Sequence, residues 1–248
     1  MELKVIDVDS KNIGTYPPTC FMNPNAEGYR IKLDWIKKQF SKGLKIKVLY
    51  SETDKKIHGF IEYLPGVEAW RAVDAKDYLF IHCIWIHPNI YKKKGYGSIL
   101  IKECLKDSKK KNGVAVITSE DSFMANKEIF IKNGFKIIES EGKQQLLIKQ
   151  NKKAPLPKFK DYKKQLKKLK GWHIIYSNQC PWVSRFLNEL DKKIVKKLDI
   201  KITELKTAKQ AQNSPSIYGT LNIVHDGKIL ADHYISNTRL NNIIKKET

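Results

Sequence analysis

The chain has 248 residues, 41% of them apolar, and a formal net charge of +21. That length admits one large domain or two modest ones, and no apolar run approaches the length of a membrane-spanning helix. The charge is nearly all lysine, since Arg30, Arg71, Arg185 and Arg239 are the only arginines. Evenly spread lysines are solvated point charges that lack the planar fork guanidinium offers to phosphates and bases, so nucleic acid is not the expected partner.

In chain order, the opening "MELKVIDVDS" reads as a strand, with no basic segment followed by an apolar one. No signal peptide is therefore expected, and the expected compartment is the cytoplasm. Residues 27–41 place Ile31, Trp35, Ile36 and Phe40 near helical spacing, which predicts an amphipathic helix. Apolar–polar alternation predicts strands over 3–8, 44–51, 57–64 and 78–87. A helix follows at 98–107, then the buried strand "GVAVITSE", the helix "SFMANKEIFIKNG" closed by Gly134, and strands near 135–140 and 144–149.

The chemistry-bearing stretch is Lys92-Lys93-Lys94-Gly95-Tyr96-Gly97-Ser98, between the strand "CIWIHP" and a helix. The first N–H groups of a helix have no partner within it, and the helix dipole turns its positive end toward the same place. Glycine lets an anion approach such a backbone closely, and the lysines add a cationic funnel. A phosphate site and an ordinary glycine-capped turn both fit this pattern.

"CIWIHP" followed by "KKKGYG" resembles the cofactor strand and the R/Q-x-x-G-x-G turn of the GNAT acyl-CoA-dependent N-acetyltransferases. "NKEIFIKNGFKIIES", with its Gly134-Phe135 pair, is similar to the second signature of that family. The resemblance covers residues 1–150 and implies an α/β (α+β) fold in the order β, α, α, three antiparallel strands, cofactor turn, α, β, α, β, β. It implies acetyl-CoA as co-substrate. The main chain of Ile84, Trp85 and Ile86 would hold the pantetheine and the amides of Lys93, Lys94, Gly95, Tyr96, Gly97 and Ser98 the pyrophosphate. Lys92 stands where the family has Gln or Arg, and Asn126 and Phe130 would form the opposite wall.

Transfer of acetyl to a primary amine, by direct attack on the thioester, needs a proton acceptor beside the cofactor strand. His82 is the leading candidate, since some amine acetyltransferases place a His there, and a buried structural histidine is the alternative. Glu62 and Glu120 are the fallback bases. Strand alternation predicts His82, Ile84 and Ile86 on one face. Many family members carry a Tyr where this chain has Phe130, which cannot donate a proton. A weakly active or non-catalytic acyl-CoA-binding protein is therefore the alternative reading, with Tyr91, Tyr96 or water as other proton donors. Residues 14–30 and 65–77, with Trp70 and Arg71, would border the groove for a small-molecule or peptide amine.

Residues 151–170 carry two prolines and a dense lysine run and read as a basic linker. Beyond it, 171–248 restarts with the strand "WHIIYS", a helix from Pro181, the strand "DIKITEL", a short helix, a hairpin about "HDG" and a terminal helix. Cys180-Pro181 before a helix resembles the thioredoxin-like fold, with Gly219-Thr220 in place of its usual cis-proline. The whole chain looks like the YoaP-type acetyltransferases. A thiol at a helix start can be reactive, but the second cysteine of a dithiol motif is replaced by Val183. Cys180 is thus a monothiol candidate or part of a redox-inert scaffold, for binding or for pairing with a second copy. The other cysteines, Cys20, Cys83 and Cys104, form no metal-binding spacing, so no metal and no disulfide framework are expected.

Overall fold

A computed structural model describes residues 3–119 and 125–247. The chain forms two compact units, one of residues 1–21, 36–69 and 74–159, the other of residues 22–35, 70–73 and 160–248.

The first unit is built on a seven-stranded sheet. Its strands are β1 (Leu3–Val8), β2 (Lys45–Ser51), β3 (Lys56–Pro65), β5 (Tyr78–Ile86), β6 (Gly113–Ser119), β7 (Lys136–Glu141) and β8 (Gln144–Gln150). The two-residue strands β4 (Val73–Asp74) and β9 (Lys158–Phe159) lie outside that sheet. The spatial order is β1-β2-β3-β5-β6-β8-β7, and every pairing is antiparallel except β5 with β6. Between β1 and β2 runs a single α-helix, α1 (Glu27–Phe40), with Glu27 in its first turn and Lys37 and Lys38 in its last, both favourable to the helix dipole. The family pattern implies two helices there; residues 9–26 form turns and loop instead.

Helix α2 (Tyr96–Asp107) buries Leu100, Ile101 and Cys104, whose spacing makes one apolar stripe, in a core with Ile61, Tyr63, Ile81, Val114, Val116 and Leu147. Asp107 would be unfavourable at the end of α2, where the dipole is negative. It accepts hydrogen bonds from the Tyr63 hydroxyl (2.7 Å) and Lys45 Nζ (3.0 Å), and Lys47 Nζ lies 3.7 Å away. Burial pushes its carboxyl up, but those two bonds and the lysine charges outweigh it and hold the group below its usual value. A carboxyl depressed in the folded chain stabilises it above the unfolded pKa of about 3.9. That contribution is lost as pH falls through the lower, folded value. Asp107→Asn is expected to lower the melting temperature at pH 7 and to flatten the loss of stability below about pH 4, as calorimetry across pH would read.

Helix α3 spans Lys127–Lys132, shorter than the sequence pattern predicts, since Ala125 and Asn126 are extended or irregular. Gly134, at φ +85°, ends it as expected, and the Phe135 N–H donates to the Phe130 carbonyl.

The second unit has a four-stranded sheet in the order β11 (Lys201–Glu204), β10 (Trp172–Tyr176), β12 (Leu221–His225), β13 (Lys228–Ala231). Strand β10 is parallel to β11 and antiparallel to β12. The two-residue turn between β12 and β13 has Asp226 and Gly227 both at positive φ, the geometry that "HDG" predicts. The second strand of that hairpin stops at Ala231. The basic run contains α4 (Tyr162–Leu166), capped by Asp161. Between β10 and β11 stand two helices, α5 (Trp182–Asn188) and α6 (Lys192–Lys197), in place of the one expected. Then come α7 (Ala208–Gln212), begun by a Thr207–Gln210 capping box, and α8 (Asn237–Glu247), which buries Leu240 and Ile244.

Trp70 and Arg71, expected beside an acceptor groove, lie in the interior of this second unit. Trp70 packs edge-on against Trp35, and Arg71, 1% exposed, donates to the carbonyl of Trp70 and to Gln179 Oε1 beneath the Tyr218 ring. Both side chains are buried, and Arg71 ties to the loop before Cys180 through Gln179. Gly28 of α1 packs as closely, for a Cβ there would stand 2.2 Å from the Pro181 carbonyl oxygen. Cys180 is a half-buried thiol that takes part in no disulfide among the described residues.

Candidate active site

The site begins where two strands stop pairing. Strand β5 is parallel to β6 from Tyr78↔Gly113 to Ile81↔Val116, and there the ladder ends. Both strands run on: β5 to Ile86, held on its other side by β3, and β6 to Ser119, held by β8. Among the described residues, the inner edges of Ile84, Trp85 and Ile86 therefore lie along a gap between the two strands.

At the mouth of this gap the chain turns through a 3-10 segment, Asn89–Tyr91, into α2. Lys93 (φ +62°) and Gly95 (φ +85°) are both left-handed, which curls consecutive N–H groups to one side. The first helical bond at this end is Ile99 N–H to the Gly95 carbonyl. Among the described residues, no carbonyl or side chain accepts from the N–H groups of Lys93 through Ser98. Among the described residues, nothing beyond its immediate chain neighbours lies within 4 Å of where a Gly95 Cβ would stand. A ring of unused donors beside open space suits a diphosphate. Lys92, Lys93 and Lys94 are exposed around it.

The two glycines serve different needs. Gly95 supplies a backbone conformation; Gly97 supplies room, because a Cβ there would come within 2.4 Å of Ile129 Cδ1 on α3. Asn133 ties the same two helices, donating from Nδ2 to Ser98 Oγ (2.9 Å) and to the Ile129 carbonyl (2.7 Å). No sequence signal singles out Asn133, whose partner is 35 residues away.

Asn126 is exposed at the start of α3. Phe130 is not on an open wall. It is 1% exposed in the core, its ring 5.5 Å from that of Phe135. An apolar ring gains more from this core than from a solvated cleft, so its place at a family tyrosine position reflects packing here. Tyr96 opens α2 at the edge of the same core, and Tyr91 sits between Tyr96 and His58.

A β-bulge decides where His82, the candidate proton acceptor, points. Glu62 stands opposite Cys83, yet Tyr63 stands opposite Ile81, so His82 is the extra residue on β5. The bulge overturns the simple alternation: Ile81, Ile84 and Ile86 share the core face, and His82 turns away from it. His82, 1% exposed, places Nδ1 at 3.6 Å from Oε1 of Glu62, which is 0% exposed. Its ring also packs edge-on against Phe80. Two residues read in the sequence as alternative bases are thus one pair. At that separation the carboxylate lies within reach of the imidazole's charge but beyond hydrogen-bond distance of Nδ1. Glu120 lies outside the described residues.

Beyond the bulge, Trp85 and His87 meet Phe21, whose ring is 5.5 Å and 4.6 Å from theirs. Cys20 and Phe21 are both left-handed, at φ 54° and 57°, a costly conformation for side chains with a Cβ. The 14–30 stretch thus reaches the cofactor strand through Phe21. Among the described residues no helix is long and apolar enough to cross a membrane, and no cluster of three metal-ligating side chains occurs.

Comparison with known proteins finds two family matches along the chain. Residues 15–135 match the Acetyltransferase (GNAT) family, and residues 199–242 match the YoaP-like family. A Bacillus subtilis (strain 168) protein, the uncharacterized N-acetyltransferase YoaP, is 26% identical over 241 residues, covering 93% of this chain and 94% of its own. Among solved structures, Salmonella typhimurium yncA with acetyl-CoA aligns at a TM-score of 0.46 and 12% identity, over 64% of this chain and 99% of its own. The Thermoplasma acidophilum PaiA N-acetyltransferase with coenzyme A aligns at 0.40 and 16%, over 60% and 99%. The turn motif, the family matches and the relative along nearly the whole chain make this protein an acetyltransferase with a GNAT domain, which takes acetyl-CoA as co-substrate, and a YoaP-like C-terminal part.

Proposed function

We propose that the enzyme acetylates a primary amine, of a small molecule or a peptide, by direct attack of the amine on the thioester. The observation that carries this is the juxtaposition of the unpaired edge of Ile84–Ile86 with the buried pair formed by His82 of the same strand and Glu62 of neighbouring β3. The unbonded amides of Lys93–Ser98 anchor the diphosphate and the edge of β5 orients the arm, so the thioester lies near the bulge. The amine nitrogen forms a bond to the acyl carbon, the carbon–sulfur bond breaks, and the amine gives up a proton. His82, backed by Glu62, takes that proton through a water, since the imidazole is buried. Water or the Tyr96 hydroxyl protonates the leaving thiolate, Phe130 being unable to do so. Phe21, Trp85 and His87 border the acceptor side.

Residues 171–248 form a domain that assists acceptor or partner binding in this reading. The strand order β11-β10-β12-β13, with helices between β10 and β11, supports a thioredoxin-like fold. The experiment is thiol release from acetyl-CoA with a panel of primary amines, beside calorimetry of acetyl-CoA binding. Saturable, amine-dependent release is the expected result. Tight binding without turnover on any amine would favour a non-catalytic acyl-CoA-binding protein.

A further inference from the structure

Strand β6 carries a polar side chain that the fold leaves unused. Thr118 is 1% exposed, and its hydroxyl has no hydrogen-bond partner among the described residues. Buried hydroxyls without a partner are uncommon because water satisfied them in the unfolded chain. Its main chain is accounted for, since Thr118 pairs with Gln145 of β8. The orphan is the side chain alone.

The position of Thr118 suggests what it awaits. Val114 and Val116 lie in the core beside Ile84, Leu100 and Phe130, and β6 runs without a bulge against β8. Alternation therefore sets Thr118 on the same face, one step beyond Val116. Val116 is the last residue of β6 to face β5. Had the ladder continued, Thr118 would stand opposite Cys83; instead it stands on β6 where the strands have parted. A valine is nearly isosteric with threonine and would fill this place without an orphaned hydroxyl.

We infer that the Thr118 hydroxyl is a positioning contact for the acyl-pantetheine arm, bonding one of its amide groups from the β6 side of the gap. This rests on the reading of the gap as the acetyl-CoA site. The arm has two amides, and the edge of β5 serves it from one wall only. A hydroxyl can donate or accept, so it suits either amide group.

The test compares wild type with Thr118→Val and Thr118→Ser. Thr118→Val is expected to weaken acetyl-CoA binding about three- to tenfold by calorimetry. It should raise the KM for acetyl-CoA by a similar factor with little change in kcat. Thr118→Ser should keep wild-type affinity. Affinity for 3′-phospho-ADP, which lacks the arm, should not change in either variant. The ligand-free melting temperature of Thr118→Val should equal or exceed that of wild type, since the variant loses an unsatisfied group. A merely structural hydroxyl would move stability and not this pattern of affinities. Wild type that binds acetyl-CoA, with Thr118→Val binding it equally well, overturns the inference and leaves the proposed function standing. Wild type that does not bind acetyl-CoA overturns both.

Discussion

Replacing His82 with Ala is expected to lower kcat for amine acetylation by about 10²–10⁴-fold, the usual worth of a positioned general base. KM for acetyl-CoA should stay nearly constant, because the diphosphate turn and the edge of β5 are untouched. Glu62→Gln keeps the shape but removes the charge that faces Nδ1 at 3.6 Å, and should cost a smaller part of the same loss. The double variant should be little worse than His82→Ala alone, since two groups acting as one unit are not additive. Steady-state thiol release at several pH values reads this, with circular dichroism as the check on folding. His82 sits at a bulge in the sheet, so His82→Asn serves where Ala disturbs the strand. Either variant, folded and turning over at the wild-type rate, would remove His82 from the reaction.

Gly95→Val should act on binding. The residue stands at φ +85°, where a β-branched side chain is strained by about 1–2 kcal/mol. Relief of that strain moves Lys93–Ser98 out of the curl that presents their amides. By the same arithmetic, affinity for acetyl-CoA should fall about five- to thirtyfold. The new side chain also projects into the space that the diphosphate would take, so the measured loss should lie at or above the upper figure. Gly97→Ala should behave differently. Its Cβ meets only the tip of Ile129, a side chain that can yield, so a companion Ile129→Val or Ile129→Ala should recover most of any loss. A Gly95→Val protein that binds acetyl-CoA as tightly as wild type would mean that the turn does not hold the coenzyme.

These two expectations draw on different kinds of information. The turn was legible because its signal is local: glycine spacing, a strand before it and an apolar stripe after it all lie within a few turns of chain. The strands of both sheets were legible for the same reason, since alternation and turn residues act over short spans. Phe130 was readable as a departure from the family pattern, but its burial against Phe135 was not, because packing depends on what the second helix meets.

The sequence by itself determined the α/β class, the order of the strands along the chain, the glycine turn that opens α2 and the residues eligible to move a proton. Tertiary structure decided which of them work together. A single extra residue on β5 turned His82 toward Glu62 instead of toward Ile84, and no residue type announces a bulge, which arises from the register of two strands. Only the folded sheet shows where β5 and β6 part, and so that Thr118 stands beside a gap. Residues 22–35 and 70–73 join the second unit through contacts such as Arg71 with Gln179, more than a hundred positions apart. Composition marks a boundary at the lysine-rich run, but compactness follows burial, and burial joins residues without regard to their distance along the chain.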